Sequence, residues 1–198
     1  MSARRLPAGE RREQIISCSI DALARSNYQK MRVADVAELV GVSEAAIYKY
    51  FPTKKRLFLA VLRYLSDGLI NNLSLAIQGE TDTIEAIRKA ATAFTDADVN
   101  PPKHVRIRSK AIAEVDDSEI SAELQRDHLA FVLLLRGIVE NGVRQGAFRS
   151  DLNVDTIVLL LDATGMFVET LKLLSLEGNT AGDAGLGLIN RVIDLMRA

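Results

Sequence analysis

Apolar residues recur at helical spacing along almost the whole chain. Between residues 32 and 40 the apolar positions are Val33, Val36, Ala37 and Val40, which is the spacing of one buried helical face. Comparable patterns follow from end to end, and no stretch alternates apolar and polar residues between hairpin turns. The pattern therefore predicts an all-α fold of about nine helices, without a sheet.

Capping and helix-breaking residues set the predicted helix limits. Gly41 is expected to end the second helix, Ser43 to cap the third, and Thr53 to cap the fourth after Pro52. The eight predicted helices before the last are 9–25, 32–40, 44–50, 53–77, 81–94, 102–115, 118–146 and 153–176. A glycine-rich link at 177–182 then leads to a ninth helix. Asn100 and the two prolines after it mark the break before the sixth.

Composition is that of a globular protein, because 48% of the 198 residues are hydrophobic and 26% are charged. A single cysteine excludes an internal disulfide and a site of several thiolates. The charge is uneven: residues 1–64 hold 12 basic and 6 acidic residues, whereas residues 65–198 hold 13 and 20. A net charge of +6 on the first part favours binding to a polyanion. A chance fluctuation of solvated charge explains it equally well at this point.

The most apolar stretch, residues 157–176, is about as long as a membrane span needs. It contains Asp162, Glu169 and Lys172, and charged side chains are costly at the centre of a bilayer. The basic N-terminus is not followed by an apolar run, so no signal peptide is predicted. These features predict a cytoplasmic protein without a membrane partner.

The second and third helices, joined at Gly41, have the pattern of a helix-turn-helix, whose second helix enters the major groove of DNA. Ile47 and Phe51 are predicted to anchor the third helix, which leaves its polar residues facing outward. Small side chains such as Ala45 allow close approach to base edges, and basic residues at the start of the fourth helix favour phosphate. An ordinary helical hairpin with a solvated basic patch is the structural alternative.

Residues 33–57, VADVAELVGVSEAAIYKYFPTKKRL, resemble the DNA-binding signature of the tetracycline-repressor (TetR) family. The resemblance implies a homodimeric transcriptional regulator that binds a pseudo-palindromic operator in double-stranded DNA. It implies an N-terminal three-helix bundle with the helix-turn-helix over residues 1–53. A larger helical domain, residues 54–198, would hold a small-molecule effector and pair its last two helices with those of the partner in a four-helix bundle.

The resemblance also implies roles for individual residues. Places that contact phosphate in the family are held here by Ser43, Tyr48, Tyr50 and Lys54. Places that read bases are held by Glu44, Ala45, Ala46 and Lys49. Arg32 departs from the threonine that often begins the second helix, and it is expected to reach a phosphate without capping the helix.

Residues 42–57 also resemble the nucleoid-occlusion branch of the family, which binds DNA to restrain cell division. This likeness is not seen to extend into the rest of the chain, and it gives the alternative function. An enzyme is not predicted, because the sequence lacks the nucleophile-elbow, phosphate-loop, zinc-protease and dinucleotide-binding motifs.

The effector pocket is predicted only from the position of residues in the helices. Its predicted lining is Phe94, His104, Phe131, Leu135 and Phe167, although each of these is equally consistent with ordinary core. Arg106, Arg108 and Lys110 would suit an anionic effector or form a solvated face. The two histidines have no metal-ligand spacing, so neither a metal nor a cofactor is predicted.

The eighth helix is apolar around much of its circumference and therefore needs packing partners on two sides. Gly165 would let a crossing helix approach closely. The predicted dimer interface is Leu161, Gly165 and Val168 in the eighth helix with Ile189, Val192 and Met196 in the ninth. The alternative is a central core helix of a monomer.

Overall fold

The computed structural model describes residues 7–96, 101–174 and 180–197, apart from the side chains of Pro102 and residues 180–183. The described residues form nine α-helices and, outside them, one isolated antiparallel bridge between Phe148 and Arg197. The helices are α1 (Ala8–Arg25), α2 (Val33–Val40), α3 (Glu44–Tyr48), α4 (Lys54–Ala76), α5 (Thr83–Thr95), α6 (Pro102–Ile112), α7 (Ser118–Gln145), α8 (Val154–Leu173) and α9 (Thr180–Met196). The prediction of an all-α fold is confirmed.

The predicted capping residues act as expected. Gly41 ends α2 in the left-handed region with φ of 76°, which glycine adopts without a steric penalty. The Ser43 hydroxyl accepts a hydrogen bond of 3.3 Å from the amide of Ala46 in the first turn of α3. The Thr53 hydroxyl likewise accepts one of 3.1 Å from the amide of Arg56. Local side-chain chemistry therefore sets the limits of the helices around the turn.

Five predicted limits differ from the structure by two or more residues. α5 begins at Thr83 rather than at residue 81, because Asp82 caps it, and α8 ends at Leu173 rather than at residue 176. α3 ends at Tyr48 rather than at residue 50, because the amides of Tyr50 and Phe51 both donate to the carbonyl of Ile47 and tighten the chain into a turn. α6 ends at Ile112 rather than at residue 115 for a similar reason. α9 begins at Thr180, inside the predicted link 177–182. The predicted break at Asn100 lies outside the described residues.

The chain divides into two compact units. Unit 1 comprises the residues up to Leu65 together with Arg106–Leu124. Its core joins apolar residues of α1 to α4 with Ile107, Ala111 and Ile120, each no more than 1% exposed. Residues 106–124 therefore complete the core around the helix-turn-helix. The functional division into 1–53 and 54–198 remains a prediction.

Unit 2 comprises Ser66–Val105 and Gln125–Ala198. Phe148, in the turn after α7, is 1% exposed and packs on Gly142 of that helix. A Cβ atom at Gly142 would lie 2.2 Å from the Phe148 ring, so this approach requires glycine. The amide of Arg149 donates to the carbonyl of Met196 over 3.0 Å, which fastens the end of α9 to the same turn.

Across the described helices, none combines the length and the apolar character required to cross a membrane.

Candidate nucleic-acid interface

Two apolar side chains anchor the recognition helix α3. Ile47 is fully buried and Phe51 is 3% exposed, both in the core of unit 1. The guanidinium of Arg12 lies 5.0 Å from the centre of the Phe51 ring, within the range of a cation–π interaction. Because Ile47 and Phe51 are fixed in the core, the side of α3 opposite to them faces solvent.

The outward side of α3 consists of Glu44, Ala45, Tyr48 and Lys49, all exposed. Ala46 is half-buried. Tyr50, predicted to face outward, is also half-buried and packs against the core of unit 1. A helix with small residues in its first turn and a tyrosine and a lysine behind them suits a major groove, because it allows both close approach and phosphate contacts.

Lys54, at the start of α4, is held by residues about 25 positions earlier in the chain. Its ammonium group donates to the carbonyl of Gln29 over 3.0 Å and lies 4.9 Å from the centre of the Tyr28 ring. Tyr28 in turn stacks on Phe58, with ring centres 4.6 Å apart. Tyr28 and Gln29 were not predicted as site residues. No local pattern links them to Lys54, because the contact depends on how the helices pack.

Arg32 makes no side-chain cap on α2 and pairs instead with Asp35, with 2.5 Å between nitrogen and oxygen. Hydrogen bonding to Arg32 lowers the pKa of Asp35 below its usual value. Both side chains are exposed, and such a pair is worth little in water. A DNA phosphate can therefore replace Asp35 as the partner of Arg32 at small cost.

Lys55 and Arg56 follow Lys54 on the first turn of α4, where phosphate contact was expected. Lys55 lies 3.0 Å from Asp117 and 2.8 Å from Glu119, and Arg56 lies 3.3 Å from Glu119. These hydrogen bonds raise the pKa of Lys55, Glu119 contributing most, and lower the pKa of Glu119. Both basic residues are thus paired with the start of α7, a neutralisation that the sequence pattern did not indicate.

Lys110, which was considered as a binding group for an anionic effector, instead contacts the end of α1. Its ammonium group donates to the carbonyl of Ser26 and, over 3.4 Å, to that of Ala24 at the end of α1. Burial lowers its pKa. Since a cation is favourable at a helix C-terminus, Lys110 stabilises α1 within unit 1.

A cavity lies within unit 2, between residues of α4, α5, α7, α8 and α9. It encloses about 540 Å³ of space between atoms, including its opening. Three predicted pocket residues line it: Phe94, Phe131 and Leu135. His104 and Phe167 are not among its lining residues, and Phe167 is 45% exposed.

The predicted dimer interface needs correction, because most of its residues face the interior of their own protomer. Among the six, Leu161, Val168, Ile189, Val192 and Met196 are at most 8% exposed. Gly165 lies against the rings of Phe94 and Phe131. The apolar pattern of the sequence did not identify which side of α8 faces outward, because the helix is apolar on both of its sides.

The outward side of α8 and α9 carries a separate set of large apolar residues. We call these residues the exposed row: Leu159, Leu160, Met166, Phe167, Leu188 and Leu195. Their exposure ranges from 40% to 66%. Large exposed apolar side chains concentrated on two helices are typical of a protein interface.

Within the part of the chain that the structure describes, no three histidine, cysteine, aspartate or glutamate side chains are grouped to hold a metal ion.

Comparison with known proteins shows which family the chain belongs to. Residues 15–61 match the model for bacterial regulatory proteins of the tetR family. Residues 84–172 match the tetracyclin repressor-like C-terminal domain. The chain belongs to the TetR family. It is therefore a DNA-binding regulator and not an enzyme, and it binds operator DNA as a homodimer.

The chain is also similar to curated nucleoid occlusion factors. It is 29% identical to SlmA of Sodalis glossinidius over 166 residues, which cover 81% of this chain and 84% of that protein. It is 26% identical to SlmA of Haemophilus influenzae, over 82% of this chain and 76% of that protein. The expectation that this likeness stops short of the rest of the chain was wrong.

Solved structures of the family share the fold. The TetR transcription regulator of Haloarcula marismortui has a TM-score of 0.83 at 17% identity, covering 96% of this chain and all of that one. The regulator of Chloroflexus aurantiacus has a TM-score of 0.81 at 19% identity, covering 96% of each chain. At this level of identity the likeness supports the fold.

Proposed function

We propose that the chain is a repressor whose α3 reads a pseudo-palindromic operator and whose cavity binds a small effector that releases the DNA. The exposed face of α3, fixed by Ile47 and Phe51, carries the first part of this proposal. Under this proposal, residues 1–53 bind DNA, and residues 54–198 bind the effector and the partner protomer. The protein acts in the cytoplasm, where its DNA target lies.

The DNA contacts follow from the chemistry of the exposed face. Tyr48, Lys49, Ser43 and Lys54 contact phosphates, and Arg32 exchanges Asp35 for a phosphate. Glu44, Ala45, Ala46 and Lys49 meet base edges, where a carboxylate accepts from a cytosine amine and a methyl group contacts thymine. Tyr50 contributes only its hydroxyl, since its ring packs into unit 1. Two copies of α3 enter successive major grooves about 34–36 Å apart.

Release by an effector is a shift between two states of the dimer. The effector must bind the state that does not fit the operator more tightly, because equal affinity for both states shifts nothing. The cavity of unit 2 is the effector site in this proposal, with Phe94, Phe131 and Leu135 in its wall.

Dimerisation is assigned to the exposed row. Its six large apolar side chains lie on α8 and α9, the two helices expected to pair across the dimer. Burying them against a second copy removes this surface from water, which is the main favourable term in such an interface.

Fluorescence anisotropy tests the DNA site. The protein is titrated against the DNA upstream of its own gene and against a scrambled duplex, at two salt concentrations. Tight binding to the first duplex alone, lost in Lys49→Glu and Tyr48→Ala, supports an operator-binding repressor. Arg149→Glu is the matched control, because it reverses an exposed charge in unit 2. Unchanged affinity in Lys49→Glu contradicts the site.

A nucleoid-occlusion function is the second candidate, favoured by the SlmA match over 81% of the chain. It predicts recurrent chromosomal sites away from promoters. Chromatin immunoprecipitation with sequencing separates the two candidates: enrichment at one or a few promoters supports a local repressor. Many dispersed sites without a change in neighbouring transcripts support the second candidate.

A further inference from the structure

The described wall of the cavity in unit 2 carries few polar atoms. Among the residues that the structure describes, those that line the cavity are apolar or glycine except Thr95 and Thr164. Both hydroxyls already donate within their own helices, Thr164 to the carbonyl of Leu160 over 2.8 Å and Thr95 to that of Thr92 over 2.9 Å. A ligand inside meets hydrocarbon and two hydroxyl groups whose protons are engaged.

Buried charges nearby are directed to other partners. Lys172 is 7% exposed and donates to the carbonyl of Phe94 over 3.2 Å, so it binds the backbone of a wall residue. Asp162 follows the wall residue Leu161, and its carboxylate lies 3.8 Å from Nε2 of His128. Neither side chain is among those that line the cavity. Among the described side chains that line the cavity, none supplies a counter-ion to a charged ligand, and a buried charge without a partner is strongly unfavourable.

Two aromatic rings packed on a glycine form part of the wall. The rings of Phe94 and Phe131 have centres 5.5 Å apart and planes inclined by 39°. Gly165 faces both, since a Cβ atom there would lie 3.5 Å from Phe94 and 3.8 Å from Phe131. The space between atoms, opening included, amounts to about 540 Å³.

We infer that the effector is an uncharged, largely hydrocarbon small molecule that binds in the cavity lined by Phe94, Phe131 and Gly165. This inference rests on the proposed effector site and adds the chemical class of its ligand. It excludes phosphorylated compounds, carboxylates and organic cations as ligands of the cavity.

Two dyes with one carbon skeleton test the inference on the full-length protein. N-phenyl-1-naphthylamine is neutral, and 8-anilino-1-naphthalenesulfonate adds a sulfonate to the same rings. Both become fluorescent in apolar surroundings, so each is titrated into the protein directly. The neutral dye is expected to bind saturably with one site per chain and at least tenfold more tightly than the sulfonate. Equal affinities, or tighter binding of the sulfonate, overturn the inference.

Variants of cavity-lining residues test whether the dye binds in the cavity. Ala91→Leu and Gly165→Leu each fill space from a different helix and should weaken binding of the neutral dye at least tenfold. Thr92→Leu, next to Ala91 but exposed on α5, is the matched control and should bind as the wild type does. A helical circular dichroism spectrum confirms that each variant folds. Undiminished binding in both folded cavity variants overturns the inference.

The same samples, titrated with operator DNA, keep this inference apart from the proposed function. Neutral dye bound in the cavity without weaker DNA binding supports the ligand class and contradicts release by the effector. No dye binding by a protein that binds operator DNA overturns the ligand class alone.

Discussion

The ammonium group of Lys55 lies 2.8 Å from a carboxylate oxygen of Glu119, which also pairs with Arg56. Two basic residues at the start of α4 thus share one acidic residue in the first turn of α7, and Lys55 pairs with Asp117 as well. Because the affinity for DNA depends on the cations free to replace counter-ions, this pairing restrains binding of unit 1 to phosphate.

Glu119→Gln should raise the affinity for any duplex by about two- to fivefold, the value of one exposed ion pair. The dependence on salt should also steepen, since Arg56 becomes available to phosphates and Lys55 keeps only its pair with Asp117. Anisotropy titrations at several salt concentrations measure both effects. Glu85→Gln, which removes a comparably exposed charge in unit 2, should change neither. An identical gain in both variants would mean that net charge alone is responsible.

Arg32→Thr should stabilise unit 1 and weaken DNA binding. Arg32 occupies the N-cap of α2 without capping it, whereas a threonine hydroxyl can accept an amide of the first turn. The gain is expected to be about 1 kcal/mol in the free energy of unfolding, measured by chemical denaturation. DNA affinity should fall because one phosphate contact is lost, and unaltered DNA affinity would remove Arg32 from the interface.

Gly142→Ala should destabilise unit 2, because the new methyl group would overlap the ring of buried Phe148. The expected loss is about 1–3 kcal/mol, the usual cost of overpacking. Gly137→Ala, in the same helix with open space around it, should instead stabilise by about 0.5–1 kcal/mol. Thermal unfolding of the two variants checks the opposite signs, and equal shifts would refute the close approach.

Asp162→Asn should stabilise the protein increasingly as the pH rises from about 4. Burial raises the pKa of Asp162 above its ordinary value of 3.8, and repulsion from Glu169 adds to the rise. His128 opposes it. The unfolded chain therefore loses this proton first, and the contribution of Asp162 to stability falls as the pH passes through the folded pKa. Denaturation from pH 3 to pH 7 should show a widening gap between variant and wild type, and a constant gap would contradict the shift.

Leu159→Glu should convert the dimer into monomers. Leu159 is 66% exposed and belongs to the exposed row, so a buried carboxylate without a partner would oppose association. Leu75→Glu is the control, since Leu75 is 56% exposed but lies on α4 and not on α8 or α9. Sedimentation velocity distinguishes the two states. A dimer that persists in Leu159→Glu would place the interface elsewhere.

The sequence predicted those features that depend on neighbouring residues. Gly41, Ser43 and Thr53 mark helix limits because their backbone freedom or hydroxyl groups act within one turn, and all three are confirmed. The end of α3 was missed by two residues, since a tightened final turn has no sequence signal.

Features that depend on packing between helices were not predictable. The apolar pattern of α8 shows that two sides must be buried, but it does not show which side faces the interior of its own protomer. Leu161 was therefore assigned to the dimer interface, whereas it is 3% exposed within the protomer. The partners of Lys54 and Lys55 are 25 and more than 60 residues away in the chain. Their pairing follows from the folded arrangement alone.

The presence of residues 106–124 in the core of unit 1 has a consequence for recombination between relatives. Ile107, Ala111 and Ile120 fill that core, and Lys110 holds the end of α1. A single crossover after residue 65 would join the helix-turn-helix of one parent to the α6–α7 corner of another, with mismatched side chains in one core. An exchange of DNA specificity by fragment transfer thus needs both segments to travel together. Point changes on the outward side of α3 achieve the same exchange without disturbing that core.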